Sequence, residues 1–166
     1  MSLNIGHAKD FFNQVRAAHA IDNVAITAGS TNDNTEKTGQ TIDLLDEEGE
    51  LGFAPGQLFL CGLLAISWKA VLSEDETFSL AAKVEQDDNT GFISDTDIAT
   101  LATVVVATGG TGGSTVRGVT FLRIPALNQG GQYARCKITG DCSKANTDTA
   151  EFSAVYLFGG SNITPA

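Results

Sequence analysis

The sequence predicts an all-β fold, a jelly-roll-like β-sandwich of about eight strands that follows an N-terminal helical or extended arm. After residue 23, apolar and polar residues alternate with a period of two, which is typical of half-buried strands. Clusters of Gly, Asn, Asp and Ser separate these runs every 8 to 15 residues. Short strands at such spacing are typical of sandwiches and jelly rolls. We therefore divide the chain into an arm, residues 1–23, and a sandwich domain, residues 24–166.

The arm is predicted from a segment whose apolar residues are spaced by three or four. Between residues 7 and 21 this spacing fits a short amphipathic helix, or an arm that adapts to a neighbouring surface. The apolar stripe has no obvious packing partner within a finished sandwich. We therefore expect it to contact another subunit through Phe11, Phe12, Val15 and Ile21.

The predicted strands follow the arm in order. A short β-rich run, 24–27, ends at a loop of Gly, Ser, Thr and Asn. The run 57–72 is apolar on both faces and predicts a central strand or strand pair. The run 77–85 alternates clearly, with an apolar residue at every second position. The remaining predicted strands are 39–45, 98–106, 115–124, 132–139 and 150–158.

The charge balance excludes two classes of partner. Ten Lys and Arg stand against twenty Asp and Glu, which gives a net charge of −10. A field of that sign repels nucleic acid and anionic lipid, and no local basic cluster opposes it. The start of the chain lacks a secretory signal pattern, and the apolar run 57–68 is too short to cross a bilayer as a helix. We expect neither a nucleic-acid nor a membrane partner.

The three cysteines, Cys61, Cys136 and Cys142, predict reduced thiols in a protein made in cytoplasm. Cys61 lies within an apolar run, which predicts a buried, inert side chain. Cys136 and Cys142 flank a predicted turn at 139–141, and their spacing matches no zinc site.

No candidate site in the sequence predicts an enzyme or a cofactor. The glycine-rich segment 109–113 lacks the Gly-Lys-Ser/Thr ending of a phosphate-binding loop and precedes a strand, so it predicts a strand connection. The acidic clusters 46–50, 74–76 and 87–88 do not follow the calcium-loop pattern and are typical of solvated hairpin tips. His7 and His19 have no serine in a nucleophile elbow to serve, and Trp68 reads as a core or rim residue.

The segments 33–44, 76–88, 133–139 and 148–160 resemble strands of a family of tailed-bacteriophage head decoration, or capsid cement, proteins. The likeness covers most of residues 32–160 and rests on strand patterns.

The resemblance implies a jelly-roll virion protein that binds the outer surface of the assembled phage head and stabilises it. It implies the major capsid protein as partner, a homotrimer as the usual oligomer, and a location on the capsid surface after synthesis in the host cytoplasm. An arm that orders on a neighbour adds contact area, so the arm residues given above become candidate subunit or capsid contacts.

Two other classes of function stay open. A carbohydrate- or receptor-binding sandwich of a tail fibre or head fibre would need exposed aromatic clusters, and one Trp and two Tyr provide few. A hydrolase built on a β-sandwich would need a clustered acid pair or a metal triad, and the sequence shows neither.

Overall fold

The regular secondary structure of the part that the structure describes consists of strands. This structure is a computed structural model, and it describes residues 15–44, 61–125, 131–143 and 147–159. Among these residues no helix is long and apolar enough to cross a membrane. The strands of these ranges are β1 (Arg16–Thr27), β2 (Thr35–Thr38), β3 (Ile42–Asp43), β4 (Cys61–Leu72), β5 (Thr77–Asp87), β6 (Thr96–Thr108), β7 (Ser114–Ile124), β8 (Tyr133–Cys142) and β9 (Thr149–Gly159).

The strands pair into two antiparallel sheets, in the orders β1-β9-β4-β7 and β2-β8-β5-β6. β3 also pairs with β8, next to β2, so the two short strands share one position in their sheet. Because β2 and β3 share a position, the chain has eight strand positions in the described residues. The first position (β1) pairs with the eighth (β9), the second (β2) with the seventh (β8), the third (β4) with the sixth (β7) and the fourth (β5) with the fifth (β6). This is the pairing of a long antiparallel ribbon rolled into two sheets, which is a jelly roll. The predicted fold class is confirmed.

The first strand differs from its prediction. β1 begins at Arg16, so the predicted boundary after residue 23 falls inside a strand of the sandwich. Its pairing with β9 shifts register between His19 and Ile21 and again between Ile21 and Val24. Such β-bulges break the strict alternation of faces, and both Ala20 and Ile21 are buried. In this stretch the spacing by three and four results from bulges in a strand and not from a helix.

The core lies between the two sheets and is filled by the inward-facing residues of both. Trp68 on β4 is 8% exposed, and its indole N–H donates to Thr120 Oγ1 at 3.0 Å. A Cβ atom on Gly118 would lie 2.5 Å from the Trp68 ring, so the opposing position on β7 has room only for glycine. The largest fully buried side chains include Phe78, Phe152, Tyr156, Phe158, Ile66 and Leu80.

The glycine-rich segment 109–113 joins β6 to β7, as the sequence predicts for a strand connection. The Gly109 N–H donates to the Glu76 carbonyl at 2.8 Å, and the Gly112 N–H donates to the Glu74 carboxylate at 3.1 Å. Gly112 and Gly113 have φ of +76° and +86°, where a side chain would be strained. The acidic turn 74–76 therefore helps to hold this loop.

Candidate interaction surface

The outer face of the β1-β9-β4-β7 sheet presents its side chains in rows. Every second residue of β4, β7 and β9 points outwards, whereas the bulged β1 contributes Ala17, His19 and Ala25. The register sets outward residues of neighbouring strands side by side. The first row is Ala17, Leu157, Leu63 and Arg123, the second is His19, Val155, Ala65 and Phe121, the third is Ser153, Ser67 and Val119, and the fourth is Ala25, Glu151, Lys69 and Arg117.

Six apolar residues adjoin one another across the first three rows, with the exposed Arg123 and His19 at their edges. We call this group the apolar patch, and it consists of Leu63, Ala65, Val119, Phe121, Val155 and Leu157. Within it Phe121 is 57% exposed, Val119 is 52% exposed and Val155 is 41% exposed. Isolated exposed apolar residues are common, but a contiguous group marks a contact with another molecule. The apolar patch is therefore the candidate interaction surface.

The part of the face beside the apolar patch is polar. Lys69 Nζ lies 3.1 Å from Glu151 Oε1, and Asn23 Nδ2 donates to Glu151 Oε2 at 3.4 Å. The hydrogen bond from Lys69 lowers the pKa of the Glu151 carboxyl. Together with Arg117 these residues line an open groove of about 640 Å³. The groove lining contains two cations, Lys69 and Arg117, and one carboxylate, Glu151, while the exposed Asp22 next to Asn23 lies 3.2 Å from His19.

The four arm residues predicted as contacts lie in different parts of the chain and of the structure. Phe11 and Phe12 lie outside the described residues. Val15 immediately precedes β1 and is 36% exposed. Ile21 is 7% exposed and packs in the core of its own subunit, because the bulges of β1 turn it inwards. Ile21 is therefore not a contact residue on the surface of this structure.

The apolar patch was missed in the sequence because its members are distant along the chain. Val119 and Phe121 occupy the outward positions of a strand whose inward positions include Leu122 and Ile124. Apolar residues on both faces of a strand usually indicate burial on both sides. In an edge strand such as β7 this pattern was a usable signal for an exposed apolar surface.

The other sheet buries a carboxylate on its outer face. Glu85 on β5 is 0% exposed and is contacted by Lys83 Nζ at 2.6 Å, Lys137 Nζ at 2.8 Å and Arg135 Nε at 3.0 Å. The Arg135 guanidinium also stacks 4.0 Å from the centre of the buried Phe92 ring, which belongs to the loop between β5 and β6. Burial raises the pKa of Glu85, but the hydrogen bonds from Lys137, Lys83 and Arg135 outweigh it and lower this pKa to about 2.

The same carboxylate belongs to a group of acids with the spacing of metal ligands. Oxygens of Glu85, Asp95 and Asp97 all lie within 4.8 Å of one another. Both Glu85 oxygens already bind cationic side chains, and Lys83 also lies 3.4 Å from Asp97. A metal ion would have to displace those cations, so this arrangement is an ion-pair network and not a metal centre.

Two sequence predictions about the cysteines are wrong. Cys61 is exposed at the start of β4, although its apolar neighbours predicted burial. Cys136 and Cys142 are buried within the single strand β8, so the turn predicted between them does not exist. Burial raises the pKa of both buried thiols, and nearby Asp33 contributes to raising that of Cys142 to about 12. All three cysteines are free, as predicted.

Comparison with known proteins gives a likeness of fold. No protein-family model matches the chain, and no curated protein matches it. A chain of infectious bursal disease virus, Gx strain, is 12% identical with a TM-score of 0.47, and 90% of this chain covers 32% of that one. The VP2 subviral particle of the same virus is 15% identical with a TM-score of 0.42, and 91% of this chain covers 33% of it.

A third solved structure comes from a different class of protein. The CBM22-1 and GH10 modules of Clostridium thermocellum xylanase 10B, complexed with xylohexaose, are 14% identical with a TM-score of 0.31, over 93% of this chain and 28% of that one. The chain spans about a third of the length of the viral proteins that it matches. At such identities the likeness concerns the β-sandwich alone.

Proposed function

We propose that this protein is a tailed-phage head decoration, or cement, protein that binds the outer surface of the assembled shell and stabilises it. The observation that carries the proposal is the apolar patch, a contiguous apolar surface on the outer face of the described β1-β9-β4-β7 sheet, beside an open groove. Such a surface fits a role in which the protein binds other proteins and does not itself catalyse a reaction. The resemblance of its strand sequences to the decoration family gives the class of assembly.

The proposed mechanism is stabilisation by mass action. A ligand that binds the assembled shell but not the free coat protein shifts the equilibrium towards the shell. From the same family resemblance we propose that the protein binds the major capsid protein as a homotrimer. The second and third contacts of linked subunits would then be intramolecular and would raise the avidity. The net charge of −10 indicates that shape and apolar contacts contribute more to attachment than charge does.

The test uses expanded capsids of the parent virus that lack this protein. Purified protein is added at two salt concentrations, and occupancy and the temperature of shell disruption are measured. We expect saturable binding, a raised disruption temperature and only a mild loss of affinity at high salt, since apolar contacts are not screened. Free coat protein serves as the control and should not bind. Absence of binding to intact shells would overturn the proposal.

A sugar-binding module of a tail or head fibre is the second candidate, because the groove beside the apolar patch is lined by hydrogen-bonding side chains, including Asn23, Lys69 and Glu151. Sugar-binding faces also use aromatic platforms, and among the outward residues of the four described strands Phe121 is the sole aromatic one. Binding to a glycan array together with no binding to shells would favour this candidate.

A further inference from the structure

The apolar patch lies at the end of its sheet where residues 1–14 join the structure. Ala17 is in the first row of the outer face, and Val15 precedes it by two residues. Phe12 stands three residues before Val15, which is a reach of about 10 Å in an extended chain. The segment 1–14 is therefore attached beside the patch.

The composition of residues 1–14 matches that surface. The segment contains Ile5, Phe11 and Phe12, and it carries one lysine and one aspartate, so its formal charge from side chains is zero. A neutral segment of a protein with net charge −10 can approach a second copy without the repulsion that opposes contact between acidic surfaces. Aromatic side chains such as Phe11 and Phe12 bury about 150–250 Å² each, more than any other class.

The direction of β1 favours a second copy over the same chain. β1 runs from the first row towards the fourth, so its N-terminal end lies at the end of the sheet that carries the patch, and the strand leads away from it. To cover its own patch, the segment would have to reverse direction between Phe12 and Arg16. No Gly or Pro occurs from residue 7 to residue 28, so Asn13 is the one turn-favouring residue on which such a reversal would depend.

We infer that the apolar patch binds residues 1–14 of a second copy of this chain, with Phe11 and Phe12 against Phe121 and Val155. The contact links subunits through exchanged N-terminal segments. The inference goes beyond the proposed function and stands without it, because it requires no capsid.

The experiment is a disulfide cross-link between two differently tagged chains. Both carry Cys61→Ser, which removes the exposed native thiol, while the two buried thiols stay protected. One chain carries Phe12→Cys and the other carries Val155→Cys. The matched control places the second cysteine at Val71, which is on the same face and 42% exposed, against 41% for Val155, but lies beyond the polar rows.

We expect a mixed cross-linked species on a non-reducing gel for the Val155→Cys chain, and several times less of it for the Val71→Cys chain. Adding Phe121→Ser to the Val155→Cys chain should reduce the product, since it removes the main apolar contact. Equal cross-linking at both positions, or none at either, would overturn the inference. A single chain with Phe12→Cys and Val155→Cys that closes only on itself would also overturn it, by assigning the patch to the chain's own segment. The absence of shells in this assay separates its outcome from that of the capsid-binding test.

Discussion

Replacing Glu85 by glutamine should destabilise the protein strongly, because this buried carboxylate is contacted by three cationic side chains. Glutamine has nearly the size of glutamate but carries no charge. Its side-chain NH₂ group is itself a donor and would face the N–H donors of the cationic partners. A pKa lowered from 4.5 to about 2 corresponds to about 3 kcal/mol at 1.36 kcal/mol per unit. The partners Lys83, Arg135 and Lys137 are 18–28% exposed, so water screens part of this energy. We therefore expect a loss of about 2–3 kcal/mol at pH 7.

The loss of unfolding free energy caused by Glu85→Gln should decrease as the pH falls. Because the pKa of Glu85 is lower in the folded state, its contribution is complete above the unfolded pKa of 4.5 and is lost as the pH falls towards 2. The difference in unfolding free energy between the wild type and Glu85→Gln should therefore shrink to about 1 kcal/mol at pH 3. Urea denaturation at pH 7 and pH 3 measures both values.

The control for this experiment is Glu36→Gln. Glu36 also pairs with Lys137, at 3.5 Å, but its side chain is 48% exposed, so its loss should cost less than about 0.5 kcal/mol. Equal costs for the two variants, or a cost of Glu85→Gln that does not change with pH, would refute the electrostatic account of this cluster.

Three further predictions concern the fold. Gly118→Ala should cost about 1–3 kcal/mol in urea denaturation because its Cβ atom meets the Trp68 ring, whereas Gly110→Ala, with no atom closer than 4.0 Å, should cost far less. A thiol reagent should modify one cysteine quickly in the native protein, and Cys61→Ser should abolish that fast phase; a fast phase in the variant would contradict the burial of the other two thiols. Deletion of residues 1–22 should lower the melting temperature sharply by removing seven of the twelve residues of β1, and a fully native melt would show that this strand is dispensable.

The fold class could be predicted from the sequence because alternation and turn composition are local properties. The run 77–85 alternates strictly in sequence, and the structure forms β5 over Thr77–Asp87. The start of β1 could not be predicted in this way. Its bulges place Ala20 and Ile21 on the core side together, and only the pairing with β9 reveals that this irregular spacing belongs to a strand.

Beyond the apolar pattern of β7, the candidate surface depended on the order of the strands in the sheet, which the sequence alone does not give. Phe121, Ala65 and Val155 are far apart in the chain and become neighbours through the order of β7, β4 and β9. The burial of Glu85 was equally non-local, because its three cationic partners come from two strands and Phe92 from a loop. Alternation places Glu85 on the face of β5 opposite to the core, and only the residues packed around it show that it is buried there.

The most direct test of the proposed function is a three-dimensional reconstruction of the native virus particle that carries this protein. The account predicts jelly-roll density on the outside of the head, in groups of three at local three-fold positions, into which the two described sheets fit. Particles produced without the protein should lack that density and retain the shell beneath it. Density for this fold at the tail or on fibres, with a bare head surface, would contradict the account.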